Sequence, residues 1–126
     1  SFWRNVVKYM RKCRQVNLEK LGLSFKHADY LIDCEDLLVV IEETSVAKLE
    51  DINKLEETIN WLCENRKSAS NYIGIIHHSK ASDPYLAKLL NAKMQSLQRQ
   101  KKPIVYKIAT CNENLRYLLS KYDIMI

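Results

Sequence analysis

The 126-residue sequence predicts an α/β domain with a mixed central sheet, an antiparallel hairpin followed by a parallel βαβ unit, flanked by helices. Three observations lead there. Apolar runs of strand character at Leu37–Ile41, Tyr72–Ile76 and Ile104–Thr110 alternate with segments of helical period. The first run follows Cys34, Glu35 and Asp36, which read as a tight reversal and make it the return strand of a hairpin. The later two runs are separated by a helical segment, and strands joined in that way run parallel through a right-handed crossover.

Taken in order, Phe2, Val6, Tyr9, Met10 and Cys13 recur at helical spacing, so residues 2–14 are expected to form an amphipathic helix ending near Gln15. Val16–Leu21 reads as a short strand before a turn at Gly22. Leu23–Asp33 is rich in strand formers and pairs with Leu37–Thr44. With the turn centred on Cys34 and Glu35, Asp29 falls opposite Val40 and His27 opposite Glu42. Leu49, Ile52, Leu55, Ile59 and Leu62 mark one face of a helix running to about Asn65, its acids early and Arg66 and Lys67 late, as the helix dipole prefers. Tyr72–Ile76 has the pattern of a strand buried on both faces. Asp83 and Pro84 supply a cap and a first-turn proline for a helix that buries Leu86, Leu90, Met94 and Leu97. Thr110 and Glu113 have capping-box spacing ahead of a last helix carrying Leu115, Leu118 and Leu119.

Composition bounds the class of protein. A chain of this size buries roughly two-thirds of its unfolded surface without staples, and 47% apolar with 28% charged residues is ordinary globular usage. Two glycines and two prolines leave little room for linkers, so residues 1–126 are expected to form one domain. No apolar run approaches the roughly eighteen residues of a membrane span, and residues 1–15 are basic and amphipathic rather than a signal peptide. Cys13, Cys34, Cys63 and Cys111 contain no C-x-x-C and read as four reduced thiols of a cytoplasmic protein. The net charge of +5 is clustered, with Arg4, Lys8, Arg11, Lys12 and Arg14 at the start and Arg99, Lys101 and Lys102 later. Such clusters favour a polyanion, and the first five are the candidate nucleic-acid contacts.

The sequence lacks a G-x-G-x-x-G, a P-loop, a G-x-S-x-G and an H-E-x-x-H, which argues against the enzyme classes those motifs serve. What remains is a carboxylate cluster at the hairpin: Asp29 in one strand, with Glu42 and Glu43 ending a strongly apolar one. Side chains two residues apart share a sheet face, so Asp29 and Glu42 are expected as diagonal neighbours with Cβ atoms roughly 7 to 8 Å apart. Two carboxylates converging from there can hold one hard cation through oxygen. A register shift by one residue would put Glu43 there instead.

In these residues the sequence resembles the PD-(D/E)xK nuclease superfamily, which includes restriction endonuclease-like enzymes and archaeal Holliday junction resolvases. The resemblance covers about residues 2–78, with V-V-I-E-E-T-S at residues 39–45 as the motif strand. It implies a restriction endonuclease-like fold, Asp29 and Glu42 as Mg²⁺ ligands, and a lysine two residues after the acid that orients or activates the attacking water. It also implies DNA as the partner, and junction-resolving relatives act as homodimers. This chain departs twice, with Ala28 at the proline position and Thr44 at the lysine position. Threonine supplies no positive charge, so Lys48 or Lys54 from the next helix becomes the candidate replacement.

Blander roles stand beside these. Asp29 and Glu42 also suit solvated strand ends, and Glu43, Glu56 and Glu57 exposed charges. His77 and His78 are adjacent, point to opposite faces of a strand and suit a polar strand end better than one metal site. Trp3, Trp61, Tyr72 and Tyr106 suit packing. The expected function is therefore a Mg²⁺-dependent nuclease-like domain on DNA, with Asp29, Glu42, Glu43 and Lys48 as catalytic candidates. Its rivals are a non-enzymatic nucleic-acid-binding or assembly subunit, and a small-ligand domain binding at the ends of Tyr72–His78 and Ile104–Thr110.

Overall fold

The structure, a computed structural model, describes residues 11–65 and 69–125 of the chain. Five strands form one sheet in the order β1 to β5: β1 (Arg14–Asn17), β2 (Tyr30–Asp33), β3 (Leu37–Ala47), β4 (Asn71–Ser82) and β5 (Ile104–Ala109). β1, β2 and β3 are antiparallel neighbours, while β3, β4 and β5 run parallel. Three helices complete the α/β architecture: α1 (Leu49–Asn65) between β3 and β4, α2 (Leu86–Arg99) between β4 and β5, and α3 (Asn112–Ser120) after β5. Among the described residues no helix is long and apolar enough to cross a membrane.

Both faces of the sheet are covered, which is why β3 and β4 read as unbroken apolar runs. Leu31, Leu38, Val40, Tyr72 and Ile76 pack against Ile52, Leu55, Ile59 and Leu62 of α1 and Leu86 and Leu90 of α2. Ile32, Val39, Ile41, Ile73 and Ile75 pack on the opposite face against Leu115 and Leu119 of α3 and Ile124. Trp61 is half-buried against the first of these cores, in the packing role expected of it.

The chain's beginning departs from the sequence expectation. Residues 2–10 of the expected helix lie outside the described residues, and Arg14, in its last turn, belongs to β1. Strand pairing wins there because Arg14–Asn17 lies antiparallel to Tyr30–Asp33. The strand expected to reach Leu21 stops at Asn17, whose Oδ1 accepts from Glu19 N at 3.0 Å and caps a 3₁₀ turn over Leu18–Leu21. Gly22, at φ 64°, ends that turn. Only the last four residues of Leu23–Asp33 are strand, so Asp29 stands just before β2 rather than within it.

The hairpin register also differs, by two residues. Leu31 rather than Asp29 lies opposite Val40, and Asp33 pairs with Leu38. The reversal is displaced by one residue, closing from Cys34 N to Leu37 O at 3.0 Å around Glu35 and Asp36, with Glu35 at φ 68° and its backbone N–H donating to Asp33 Oδ1 at 3.0 Å. A shift of two keeps every side chain on its face but moves each acid one rung along.

Cysteine usage is corrected as well. The Arg14–Asp33 pairing brings Cys13 against Cys34, and the two form a disulfide, leaving Cys63 and Cys111 as exposed thiols. Helix starts shift too. Asp83 Oδ1 accepts from Tyr85 N at 2.9 Å in a turn that precedes α2, which begins at Leu86. The Thr110–Glu113 capping box does not form. Cys111 is the cap of α3, its Sγ accepting from Asn114 N at 3.3 Å, and Asn114 Oδ1 accepts from Thr110 N at 3.0 Å.

Two stability predictions follow from this packing. Gly74 admits the Tyr106 ring, and a Cβ there would lie 2.8 Å from Tyr106 Cδ1. Gly74→Ala is expected to lose roughly 1 to 3 kcal/mol by overpacking, with Tyr106→Leu recovering part of it in a urea double-mutant cycle. The Cys13–Cys34 bond closes a loop of sequence separation 21. Its reduction is expected to remove about 3 kcal/mol, read as a lower urea midpoint that the Cys13→Ser, Cys34→Ala double variant reproduces without reductant.

Candidate functional site

Glu42 continues the face of Leu38 and Val40, beneath α1, and is 2% exposed. A lone carboxylate buried there is strongly disfavoured, so its partners decide what the site can do. Lys54, on the second turn of α1, places Nζ 2.9 Å from Glu42 Oε2. Asp29 approaches from the other side. Its backbone N–H donates to Ile41 O at 3.1 Å, and its Oδ2 accepts from Glu43 N at 2.8 Å. The first bond goes to the carbonyl of the residue that pairs with Tyr30, so Asp29 lies against the end of β3 just past the paired rungs, within hydrogen-bonding reach of Glu42.

The scaffold fixes both flanks. At the start of α1, Asp51 Oδ2 accepts from Lys48 N at 2.9 Å, half of a capping box. One turn after Lys54, Thr58 Oγ1 donates to Lys54 O at 2.7 Å and accepts from Ala28 N at 2.9 Å. A single buried hydroxyl therefore ties the turn that delivers Lys54 to the residue preceding Asp29.

Burial first, then hydrogen bonding to Asp29, pushes the Glu42 carboxyl up to about 8, against the opposing pull of Lys54. Lys54 in turn is raised by its hydrogen bond to Glu42 whenever Glu42 is ionised. Glu42 Oε1 has no hydrogen-bond partner in the carboxylate form, whereas a neutral Glu42 can donate to Asp29. Two facing carboxyl groups with one lysine thus leave room for one more positive species between them, a proton or a cation.

The other sequence candidates lie elsewhere. Glu43 points to the opposite face, exposed, with Oε1 4.0 Å from His77 Nδ1. Lys48 is not brought to the carboxylates; its Nζ is 4.0 Å from Glu50 Oε2, so of the two candidate lysines the structure delivers Lys54. Thr44 Oγ1 donates to Val46 O at 3.2 Å. Among the basic candidates, Arg4 and Lys8 lie outside the described residues. Arg11 is a latch, donating from Nη1 to Asp36 Oδ1 at 3.0 Å and from Nε to Tyr122 O at 2.8 Å. Arg14 Nη2 is 3.4 Å from Asp33 Oδ2, and Lys12 is exposed. Sequence pattern does not mark Thr58, because burial of a polar residue leaves no periodic signature.

Among the described residues no group of three or more His, Cys, Asp and Glu side chains converges as an all-protein metal cage would. Comparison with known proteins yields no matching family model, no matching curated protein and no matching solved structure, so function has to be read from the site itself.

The raised Glu42 has a measurable consequence in metal-free protein. Between about pH 4.5 and 8 the unfolded chain has released this proton while the folded protein retains it, so stability falls as pH rises through that window. Urea midpoints at about pH 5 and pH 9 are expected to differ less in Glu42→Gln than in the parent. Equal pH slopes in the two proteins would contradict the raised carboxyl.

Proposed function

We propose that this domain is a Mg²⁺-dependent nuclease-like module of the PD-(D/E)xK kind acting on DNA, with Asp29 and Glu42 as metal ligands and Lys54 replacing the lysine absent at Thr44. The observation that carries the reading is the buried Glu42 with Asp29 on one side and Lys54 Nζ at 2.9 Å on the other. The surrounding topology supports it: a hairpin presents both acids, a helix follows, and the next strand returns parallel. A restriction endonuclease-like architecture is part of the same proposal.

The donor set suits a hard cation that keeps most of its waters and takes one or two carboxylates from protein. Glu42 Oε1 is a buried atom that lacks a partner, and Asp29 is its neighbour. When bound, Mg²⁺ supplies Lewis-acid stabilisation of charge developing on phosphate oxygens. Lys54 favours the ionised form of Glu42 through its hydrogen bond, against burial and Asp29. Its side chain is 29% exposed, so its remaining N–H donors can reach a water aligned on the phosphorus. In hydrolysis that water's oxygen bonds to phosphorus, the ester P–O bond breaks, and the departing alkoxide takes up a proton while the water loses one.

A non-enzymatic binding module is the alternative, and one observation favours it. Lys54 already holds Glu42 Oε2 at 2.9 Å with no cation bound.

The test is cleavage of labelled single-stranded, duplex and branched DNA with Mg²⁺ or Mn²⁺, alongside calorimetry of Mn²⁺ binding in buffers of different ionisation enthalpy. Metal-dependent cleavage is expected to fall by about a hundredfold or more in Asp29→Asn, Glu42→Gln and Lys54→Met, with Lys48→Ala unaffected. Mn²⁺ should displace a proton from the parent near neutral pH, and from Glu42→Gln none. Well-folded protein that neither cleaves nor binds Mn²⁺ would leave the non-enzymatic reading standing.

A further inference from the structure

From Pro84 to Asn112 the chain carries no Asp or Glu, and this stretch spans the whole of α2 and β5. Its cations are Lys88, Lys93, Arg99, Lys101, Lys102 and Lys107. Lys93 is spent on Glu56 of α1. Lys107 alternates with Tyr106 along β5 and so stands on the other face of the sheet from α2. The remaining four are exposed and form no ion pair with a described residue.

The helix gathers these four on one side. α2 turns Leu86, Leu90, Met94 and Leu97 to the core. At 3.6 residues per turn, Lys88, Gln95 and Arg99 fall within about 40° of one another on the side opposite those apolar residues, with Asn91 flanking them. Lys88 and Arg99 lie about 16 Å apart along the axis. Lys101 and Lys102 follow at once and are fixed by the helix end, their backbone N–H groups donating to Gln98 O and Leu97 O at 3.0 Å.

Helix stability accounts for only part of this arrangement. A cation suits the last turn, where Arg99 stands, but Lys88 is near the positive end, in a first turn that has no acid. Lys101 is in the left-handed region at φ 55°, where glycine or asparagine is favoured. The nearest carboxylate along the chain, Asp83, precedes the helix and accepts from Tyr85 N.

We propose that the outer face of α2 is a contact surface for duplex DNA, with Lys88 at one end, Arg99, Lys101 and Lys102 at the other, and Asn91 and Gln95 between. The major groove is about 12 Å wide, so cations about 16 Å apart reach the phosphates on both of its borders while the amide side chains face base edges. An anionic membrane fits less well, because a helix lying on lipid buries its apolar stripe there and α2 commits its own to the core. The surface rests on the DNA partner of the proposed function and not on its chemistry.

The test is titration of a fluorescein-labelled duplex of about two helical turns in EDTA at several salt concentrations. Lys88→Gln, Arg99→Gln and Lys101→Gly are each expected to weaken binding roughly three- to tenfold and to lower the slope of log affinity against log salt by about 1. Lys101→Gly also relieves the left-handed backbone, so its urea midpoint should hold or rise while its binding falls, which a purely structural lysine would not show. Lys121→Gln, at the end of α3 on the other face of the sheet, changes net charge equally and should bind as the parent does. Full binding by the three α2 variants, or an equal loss in Lys121→Gln, overturns the surface. So does folded parent that ignores the duplex and binds phosphatidylserine vesicles instead. Duplex binding lost in the α2 variants without any cleavage by the parent sinks the nuclease chemistry and leaves the surface standing, whereas cleavage and binding indifferent to these variants sink the surface alone.

Discussion

Everything in this fold is arranged around a strand that must be apolar on both sides and yet ends in an acid. β3 lies between an antiparallel and a parallel neighbour, with helices on both faces, and Val39, Val40 and Ile41 are buried throughout. The run has no wet face on which a charge could rest, so Glu42 enters the protein interior together with the strand. Asp29, Lys54 and Thr58 are the local response to that burial, the first from the segment before β2 and the other two from successive turns of α1. Removing Lys54 would leave a buried carboxyl whose neighbour is another carboxyl, which is why the three groups act as one unit.

The sheet class, the hairpin, the parallel crossovers and the helix over Leu49–Asn65 were legible because apolar period reports burial directly. Positions set by a single backbone angle were not. Glu35 in the left-handed region sets the hairpin turn at Glu35 and Asp36, one residue later than expected, which moves Asp29 from the rung of Val40 to the end of β3 beside Glu42. The first strand was expected at Val16–Leu21 and lies at Arg14–Asn17, because four residues are too short to show a period of two and the pairing is decided by a partner segment later in the chain. The disulfide was invisible for the same reason: Cys13 and Cys34 become neighbours only once the β1–β2 register exists.

The carboxylates were found by composition at a strand end, since an apolar run closing on two acids is itself unusual. Choosing between Lys48 and Lys54 required the helix phase relative to the sheet. Lys48 precedes α1 and turns to Glu50, whereas Lys54 falls on the stripe that faces Glu42. The basic cluster shows the opposite lesson. Counted along the chain, Arg11 and Arg14 look like free cationic surface, yet both are committed to Asp36 and Asp33 in joining the chain's beginning to the β2–β3 reversal.

The route by which α1 connects β3 to β4 bears on the order of assembly. A hairpin closes locally, so β2 and β3 can pair early, but β4 cannot join β3 in parallel until the crossover helix has formed and docked. Glu42 keeps its hydration on the bare hairpin until α1 arrives, and α1 carries Lys54. Desolvation of the acid and delivery of its cation therefore both depend on the docking of α1, which at once covers Glu42 and carries Lys54.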